Sequence, residues 1–359
     1  MGLQSLDIRD FRNIQNASLT FSSGLNLITG ANAAGKTSLL EAIYCLGRVR
    51  SFRTSILDEP VRYGQTAYRI VGRVRQEGGR LVPVGIERQA GGLQVHLGGK
   101  VISRLSDLAG CFPVQVMSGD TESILEGGPR SRRQAIDWAL FHVEHPYREY
   151  WQRYTRSLRQ RNAALRARVA IDQVSVWNTE LLETGERIDN LRKQYFEALQ
   201  PKLQHTLLEL LPGMTVSLQY QSGWSGGLTL AEALAQSLER DRIRGYTQHG
   251  VHRADFKILV NGHPVRSHCS RGQQKALTVG FQLAQIGLQQ DRGVALGAFL
   301  LDDIASELDA AHQDRVLSAL RDLHAQVFVT AIEGIRTDQA AWDETKRFHV
   351  EHGGIQEVL

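Results

Sequence analysis

Cysteine is scarce in this sequence. Cys45, Cys111 and Cys269 stand far apart and form no C-x-x-C pair. Such an odd, scattered set argues against a disulfide framework and fits a reducing compartment. Metal-binding patterns are missing too: the 12 histidines are dispersed, and His249 and His252 have no cysteine or carboxylate pattern to complete a site. Long apolar runs are absent, the longest being Val294 to Leu301, far short of the roughly 18 residues a membrane span needs. No basic-then-apolar leader precedes the first strand pattern. Leu6 occupies the position where myristoylation after Met1-Gly2 needs Ser or Thr. These absences lead to the expectation of a cytoplasmic protein.

Charge of one sign is also lacking. The 42 Lys+Arg against 38 Asp+Glu leave a net +4, and the chain is 42% hydrophobic and 22% charged, as in a globular protein. The small basic excess tilts toward anionic partners without establishing them. With 359 residues the chain can bury a substantial core, and its length suits two lobes or one α/β domain with an insertion.

Along the chain, residues 3–9 and 15–21 alternate as a strand hairpin. Gly24 to Thr29 reads as a buried strand ending at Gly30, and Ser38 to Leu46 has helical spacing of apolar residues. Short strands with glycine turns at Gly78-Gly79 and Gly91-Gly92 fill residues 66–102. After Gly127-Gly128-Pro129 the character changes to long amphipathic helices. The first carries Arg153, Arg156, Arg159, Arg161, Arg166 and Arg168, with Tyr147, Tyr150, Trp151 and Tyr154 interleaved. Those arginines suit either a phosphate backbone or a solvated helix face, and the aromatics read as core. Strands resume near 214–221 and 251–260, and helix, strand and helix fill 270–340. The expected organisation is an α/β nucleotide-binding core in two parts, residues 1–128 and 213–359, interrupted by a mainly helical lobe at 129–212.

Two elements carry chemistry. Gly30-Ala31-Asn32-Ala33-Ala34-Gly35-Lys36-Thr37 fits G-x-x-x-x-G-K-[ST] between a strand and a helix. Small residues let backbone N–H groups wrap phosphate oxygens, and the following helix adds positive character at its start, Ser38 included. Lys36 is placed to reach the β- and γ-phosphates and Thr37 to ligate Mg²⁺. Phe299-Leu300-Leu301-Asp302-Asp303 is an apolar strand ending in two acids. Asp302 suits the metal's shell, and Asp303 suits the orientation or deprotonation of an attacking water. Ser306-Glu307-Leu308-Asp309 reads by itself as an ordinary helix start with Ser306 as N-cap.

Further motifs carry a resemblance. Ser270-Arg271-Gly272-Gln273-Gln274-Lys275 opens a helix shortly before the acid pair, as in the signature motif of ABC-type ATPases. Phe11-Arg12-Asn13, Ser51-Phe52-Arg53-Thr54, Gly128-Pro129 with Arg132-Arg133 and Asp137, Gly250-Val-His252-Arg253-Ala-Asp255, and Asp302 through Asp309 agree in order along nearly the whole chain. Together they are similar to the RecF family within the ABC/SMC-type ATPases.

The resemblance implies an ABC-type head in which Arg12 and the loop residues bind ATP and Mg²⁺. It also implies that Ser270, Gly272 and Gln273 of one subunit meet the γ-phosphate held by another. ATP then joins two subunits on DNA, single-stranded or gapped, and hydrolysis releases them. RecO, RecR and, indirectly, RecA are the implied partners, in recombinational repair, replication restart and the SOS response. Family members often carry Gly where Ala33 stands, and a longer Glu where Asp303 stands, so slow hydrolysis is expected. The Q-loop contact near Met117 to Glu122 stays unassigned, and no switch histidine follows Val327-Phe-Val-Thr330. An ABC transporter subunit and a P-loop kinase are the competing readings. The first is disfavoured by the 234 positions between Lys36 and Ser270, the second by the signature helix.

Overall fold

The computed structural model describes all residues except 55, 57, 90–91, 103–107, 109, 119–123, 126, 333–341 and 359, and the side chains of 145 and 307. The unassigned contact near Met117 to Glu122 therefore lies largely outside the described residues. The chain forms two compact units, Met1–Glu122 with Gly293–Leu359, and Ser123–Arg292.

The first unit begins with β1 (Gly2–Phe11), β2 (Ile14–Thr20), β3 (Leu25–Thr29) and α1 (Lys36–Arg48). β4 (Tyr68–Arg75), β5 (Leu81–Gln89), β6 (Gly92–Leu97), β7 (Lys100–Val101) and β8 (Val114–Met117) follow. One six-stranded sheet has the order β2-β1-β4-β5-β6-β7 and is antiparallel throughout. Its strands alternate buried and exposed residues, as in β4 with Tyr68, Ile70 and Val74 inward and Arg69, Arg73 and Arg75 outward. That is the pattern of a sheet with one wet face.

The second unit supplies α2 (Pro129–Val143), α3 (His145–Arg166), α4 (Ile171–Ser175), α5 (Asn178–Leu210), β9 (Val216–Gln221), α6 (Leu230–Arg244), β10 (Asp255–Val260), β11 (His263–Pro264), α7 (Val265–His268) and α8 (Arg271–Asp291). α5 runs roughly 50 Å at 1.5 Å per residue. Its buried Leu181, Ile188, Tyr195, Leu199, Leu203, Leu207 and Leu210 recur at helical spacing. α8 packs along α5, and β9 and β10 pair antiparallel beside it. Residues 213–292 thus fold with the helical segment, whereas the sequence reading joined them to the C-terminal part of the core. Packing between helices far apart in sequence sets that boundary, and local patterning does not carry it.

The chain then returns to the first unit with β12 (Ala298–Leu301), α9 (Ile304–Glu307), α10 (Ala310–Asp322), β13 (Val327–Ala331), β14 (Thr345–Glu351) and β15 (Gly354–Val358). The second sheet has the order β15-β14-β3-β13-β12-β8, parallel except for β15. Every residue of β8, β12 and β13 is buried, as expected for parallel strands covered on both faces. α1 is buried on all sides from Ser38 to Gly47 apart from its ends, and its Leu39, Leu40, Ile43 and Leu46 join a core with Leu6, Ile8, Ile70, Val84, Phe328 and Phe348. Each such side chain contributes about 1.5–3 kcal/mol. The helix that follows the phosphate loop is therefore fixed against both sheets of this unit. α10 is capped by Asp309, whose carboxylate accepts from the His312 N–H at 3.0 Å, so the cap is Asp309 and not Ser306. Ser306 instead donates to the Asp303 carbonyl at 3.0 Å.

Candidate nucleotide-binding site

The loop between β3 and α1 is shaped by two glycines. Gly30 has φ 153°, and a Cβ there would lie 2.2 Å from the Val350 carbonyl oxygen. Gly35 has φ 124°, and a Cβ would lie 2.9 Å from the Asn13 amide. The Asn13 side chain and the Gly353 N–H both donate to the Ala34 carbonyl, at 2.9 and 2.8 Å, and hold the loop from behind. Ala31, Asn32 and Ala33 are exposed, while Ala34, Gly35, Lys36 and Ser38 are buried. Ala33 has φ 62°, a left-handed conformation that glycine adopts with less strain. The first turn of α1 has no side-chain cap, so its N–H groups form an anion-binding end. Lys36 Nζ curls over the loop and donates to the carbonyls of Gly30 at 2.7 Å and Ala31 at 2.9 Å.

Sheet order brings the acid pair beneath this loop. β13 lies between β3, which leads into the loop, and β12, which ends at the acids. Thr37 Oγ1 donates to Asp302 Oδ1 at 3.0 Å, and Thr330 Oγ1 donates to the same oxygen at 2.8 Å. Thr330 Oγ1 also accepts from the Asp303 N–H at 2.7 Å, and Asp303 sits in the left-handed region at φ 50°, ψ 52°. Thr37 and Asp302, separated by 265 positions, are thus brought together as a hydroxyl–carboxylate pair. Oxygen donors of this kind suit a hard divalent cation such as Mg²⁺.

A second cluster joins two of the sequence motifs. Glu41 of α1 is wholly buried and accepts from Arg12 Nε at 2.9 Å, Arg12 Nη2 at 2.7 Å and Ser51 Oγ at 2.5 Å. Arg53 Nη1 lies 3.7 Å from its other oxygen. Arg12 Nη1 reaches the Glu59 carbonyl at 3.1 Å. Burial alone lowers the Arg12 pKa, but the paired acids outweigh it and hold the guanidinium above its ordinary value. Arg12, expected at the nucleotide, bonds Glu41 and the Glu59 carbonyl. Sequence reasoning missed Glu41; its signal was one acid inside the apolar run Leu39 to Leu46.

The RecF/RecN/SMC N terminal domain model matches residues 2–357. The chain is 39% identical over 363 residues to the DNA replication and repair protein RecF of Nitrosococcus oceani, with 100% of both chains covered. It is 38% identical over 356 residues to the RecF of Salmonella typhimurium, covering 99% of each. The chain belongs to the RecF family. Among solved structures it is similar to the recombination mediator protein RecF of the RecFOR pathway. The RecF-ATP form has a TM-score of 0.88 at 26% identity, with 100% and 98% of the chains covered. The RecF-ATPrS form has 0.84 at 27%, covering 99% and 98%. The Smc head bound to the C-winged helix domain of ScpA, at 15% identity and a TM-score of 0.63 over 100% and 97% of the chains, shares the fold. The α/β head of the ABC-type ATPases is thus the architecture, as the motifs implied.

The remaining RecF-type motifs lie in the second unit. Ser270 caps α8: its hydroxyl accepts from the Gln273 N–H at 3.3 Å while Gln273 Oε1 accepts from the Ser270 N–H at 2.9 Å. Gly272 is exposed, and a Cβ there would meet nothing within 4 Å. The motif at 128–137 is bonded to the motif at 250–255. Arg132 forms a two-pronged ion pair with Asp255 at 2.7 and 2.9 Å, and Arg133 donates to the Ala254 carbonyl at 2.8 Å. Wholly buried Arg192 joins Asp137 at 2.7 Å to the Val251 carbonyl at 2.8 Å. Gly250 has φ 135°, and a Cβ would fall 2.3 Å from the Tyr154 hydroxyl, which itself bonds His252 Nδ1 at 2.7 Å. Burial lowers the His252 pKa to about 4.

The arginine stripe divides. Arg161 is wholly buried, paired with Asp241 at 2.9 Å and Thr247 at 2.6 Å, and Arg153 pairs with Glu180 at 2.6 Å. Arg156, Arg159, Arg166 and Arg168 are exposed. Of the six, Arg161 leaves the surface and fastens α3 to α6. Tyr147 and Tyr154 belong to the core.

Proposed function

We propose that the chain is an ATP-dependent DNA-binding repair protein, in which nucleotide at the loop joins two copies around or upon DNA. The observation that carries this reading is the Thr37–Asp302 pair at 3.0 Å beneath an uncapped, glycine-shaped helix start. The backbone N–H groups of residues 31–38 wrap the phosphates, and Lys36 exchanges its two carbonyl partners for phosphate oxygens. Thr37 and Asp302 would hold Mg²⁺. When bound, that ion neutralises charge developing on the phosphates. Thr37 can ligate the ion without leaving Asp302, because a hydroxyl that donates its proton to the carboxylate keeps its lone pairs for a metal. Asp303 orients the attacking water, and as the shorter acid it supports slow turnover, suited to a timed release.

Ser270, Gly272 and Gln273 contribute in trans. The open space at Gly272 is unexplained within one chain but suits close approach of a second subunit's phosphate. In this reading DNA, single-stranded or at gapped junctions, is held by the dimer, and RecR and RecO link it to RecA loading. The structures of RecF in the RecFOR pathway that the chain resembles support this assignment over a transporter subunit or a kinase.

Calorimetric titration with ATP and Mg²⁺ tests the nucleotide step. Wild type binds, Lys36→Met loses at least tenfold in affinity, and chelation of the metal weakens wild type. No heat from wild-type protein would remove the basis of the reading.

A further inference from the structure

We infer that Thr330 is a positioning residue for the acid pair, setting both acids with one hydroxyl on β13. The inference rests on the ATP-dependent reading above.

The position is set by strand register. In β13, Val329 pairs with Leu301 of β12, and Thr330 pairs with Ile28 of β3. Thr330 is therefore level with Asp302 on one side and with the strand leading into the phosphate loop on the other. Val327, Phe328, Val329 and Ala331, its neighbours in β13, are all buried and apolar. A fully buried strand favours valine here, which has the same shape. A hydroxyl in that place has to be satisfied, and Thr330, with no exposed surface, is satisfied twice. Its proton goes to Asp302 Oδ1 at 2.8 Å, and its lone pair takes the Asp303 N–H at 2.7 Å.

These two bonds act on different acids. The first fixes the carboxylate oxygen that Thr37 also contacts, so Asp302 keeps one donor and one orientation whatever Thr37 does. The second holds the backbone N–H of a residue that is left-handed at φ 50° without being glycine. That conformation is sparsely populated and persists only when its surroundings hold it. The direction in which the Asp303 side chain leaves the turn depends on it. One hydroxyl thus sets the metal-facing acid and the water-facing acid together. It touches neither nucleotide nor water itself.

The test compares Thr330→Val and Thr330→Ser with wild type in the full-length chain. ATP affinity is measured by titration with Mg²⁺ and with chelator, kcat and KM from steady-state hydrolysis, and fold integrity from melting. In Thr330→Val, affinity in chelator stays within about threefold of wild type, because the loop is untouched. The gain in affinity on adding Mg²⁺ shrinks, and kcat falls, each by about 10–100-fold. KM rises in step with the lost Mg²⁺-dependent affinity, because slow chemistry makes KM follow the dissociation constant. Thr330→Ser, which keeps the hydroxyl, recovers both to within about threefold even if it melts lower. A Thr330→Val protein with wild-type Mg²⁺ response and kcat overturns the proposal, as does a Ser variant as impaired as Val. A wild-type chain that binds no ATP overturns the nucleotide reading and the proposal with it.

Discussion

Removing the Glu41 carboxylate tests the packing around the phosphate loop most severely. Glu41 has no exposed surface, and Arg12 is only 14% exposed at its side chain. Glu41→Ala leaves two guanidinium N–H groups and the Ser51 hydroxyl without their acceptor, and breaking a buried pair costs about 3–5 kcal/mol. Arg12→Ala leaves a buried carboxylate with Ser51 and a distant Arg53, at a similar cost. Because each variant destroys the same two-pronged bond, the double variant costs less than the sum, with a coupling of about 1–3 kcal/mol. For a unit of this size, each kcal/mol lowers the melting temperature by about 2–4 °C. Calorimetric melting of the four proteins gives the cycle. Additivity within about 0.5 kcal/mol would refute the claim that Glu41 and Arg12 act as one buried unit. The same cycle tests why Phe11-Arg12-Asn13 and Ser51-Phe52-Arg53-Thr54 occur together, since both motifs end on Glu41.

Three further outcomes are expected. An imidazole at His252 that titrates near 6.5 when unfolded and at about 4 when folded binds fewer protons in the native state between those values. Stability is therefore complete above pH 6.5 and falls toward pH 4 by up to about 3 kcal/mol; urea midpoints of His252→Gln show a shallower fall over that window, and parallel slopes would contradict this. Ala33→Gly relieves about 1–2 kcal/mol of left-handed strain and loses about 0.4–1 kcal/mol to unfolded-chain entropy, so it should stabilise by about 0.5–1 kcal/mol, read as a raised melting temperature. Ser270→Asp retains the helix cap, so melting stays within about 1 kcal/mol of wild type. Its added carboxylate repels a phosphate, so ATP-driven dimerisation disappears in sedimentation, and a dimer of wild-type affinity would contradict the trans contact.

The phosphate loop and the acid pair were legible because their chemistry is written at short, fixed spacings next to recognisable strands. The helices of the central segment were legible from apolar periodicity. What escaped depends on pairs distant in sequence: Glu41 with Arg12, Thr330 with Asp302, Arg192 with Asp137. Glu41 and Thr330 each left a faint trace as a single polar residue in an apolar run, which periodicity treats as noise. Arg161 misled for the opposite reason: the spacing of a solvated stripe is the same whether a residue meets water or, as here, the buried Asp241. The place of residues 213–292 followed from the packing of α8 on α5, to which local pattern is blind.

The central claim is that a complete site needs the loop of one chain and the Ser270 helix of another. The direct measurement is sedimentation with a gapped DNA and ATP of Lys36→Met, of Ser270→Ala, and of their equimolar mixture. Each variant alone should stay monomeric and release DNA. The mixture should form a dimer that retains it, because the Ser270→Ala loop meets the intact Ser270 of Lys36→Met. A mixture no better than its two components, alongside a wild-type chain that dimerises, would place both elements in one subunit's site and contradict the account.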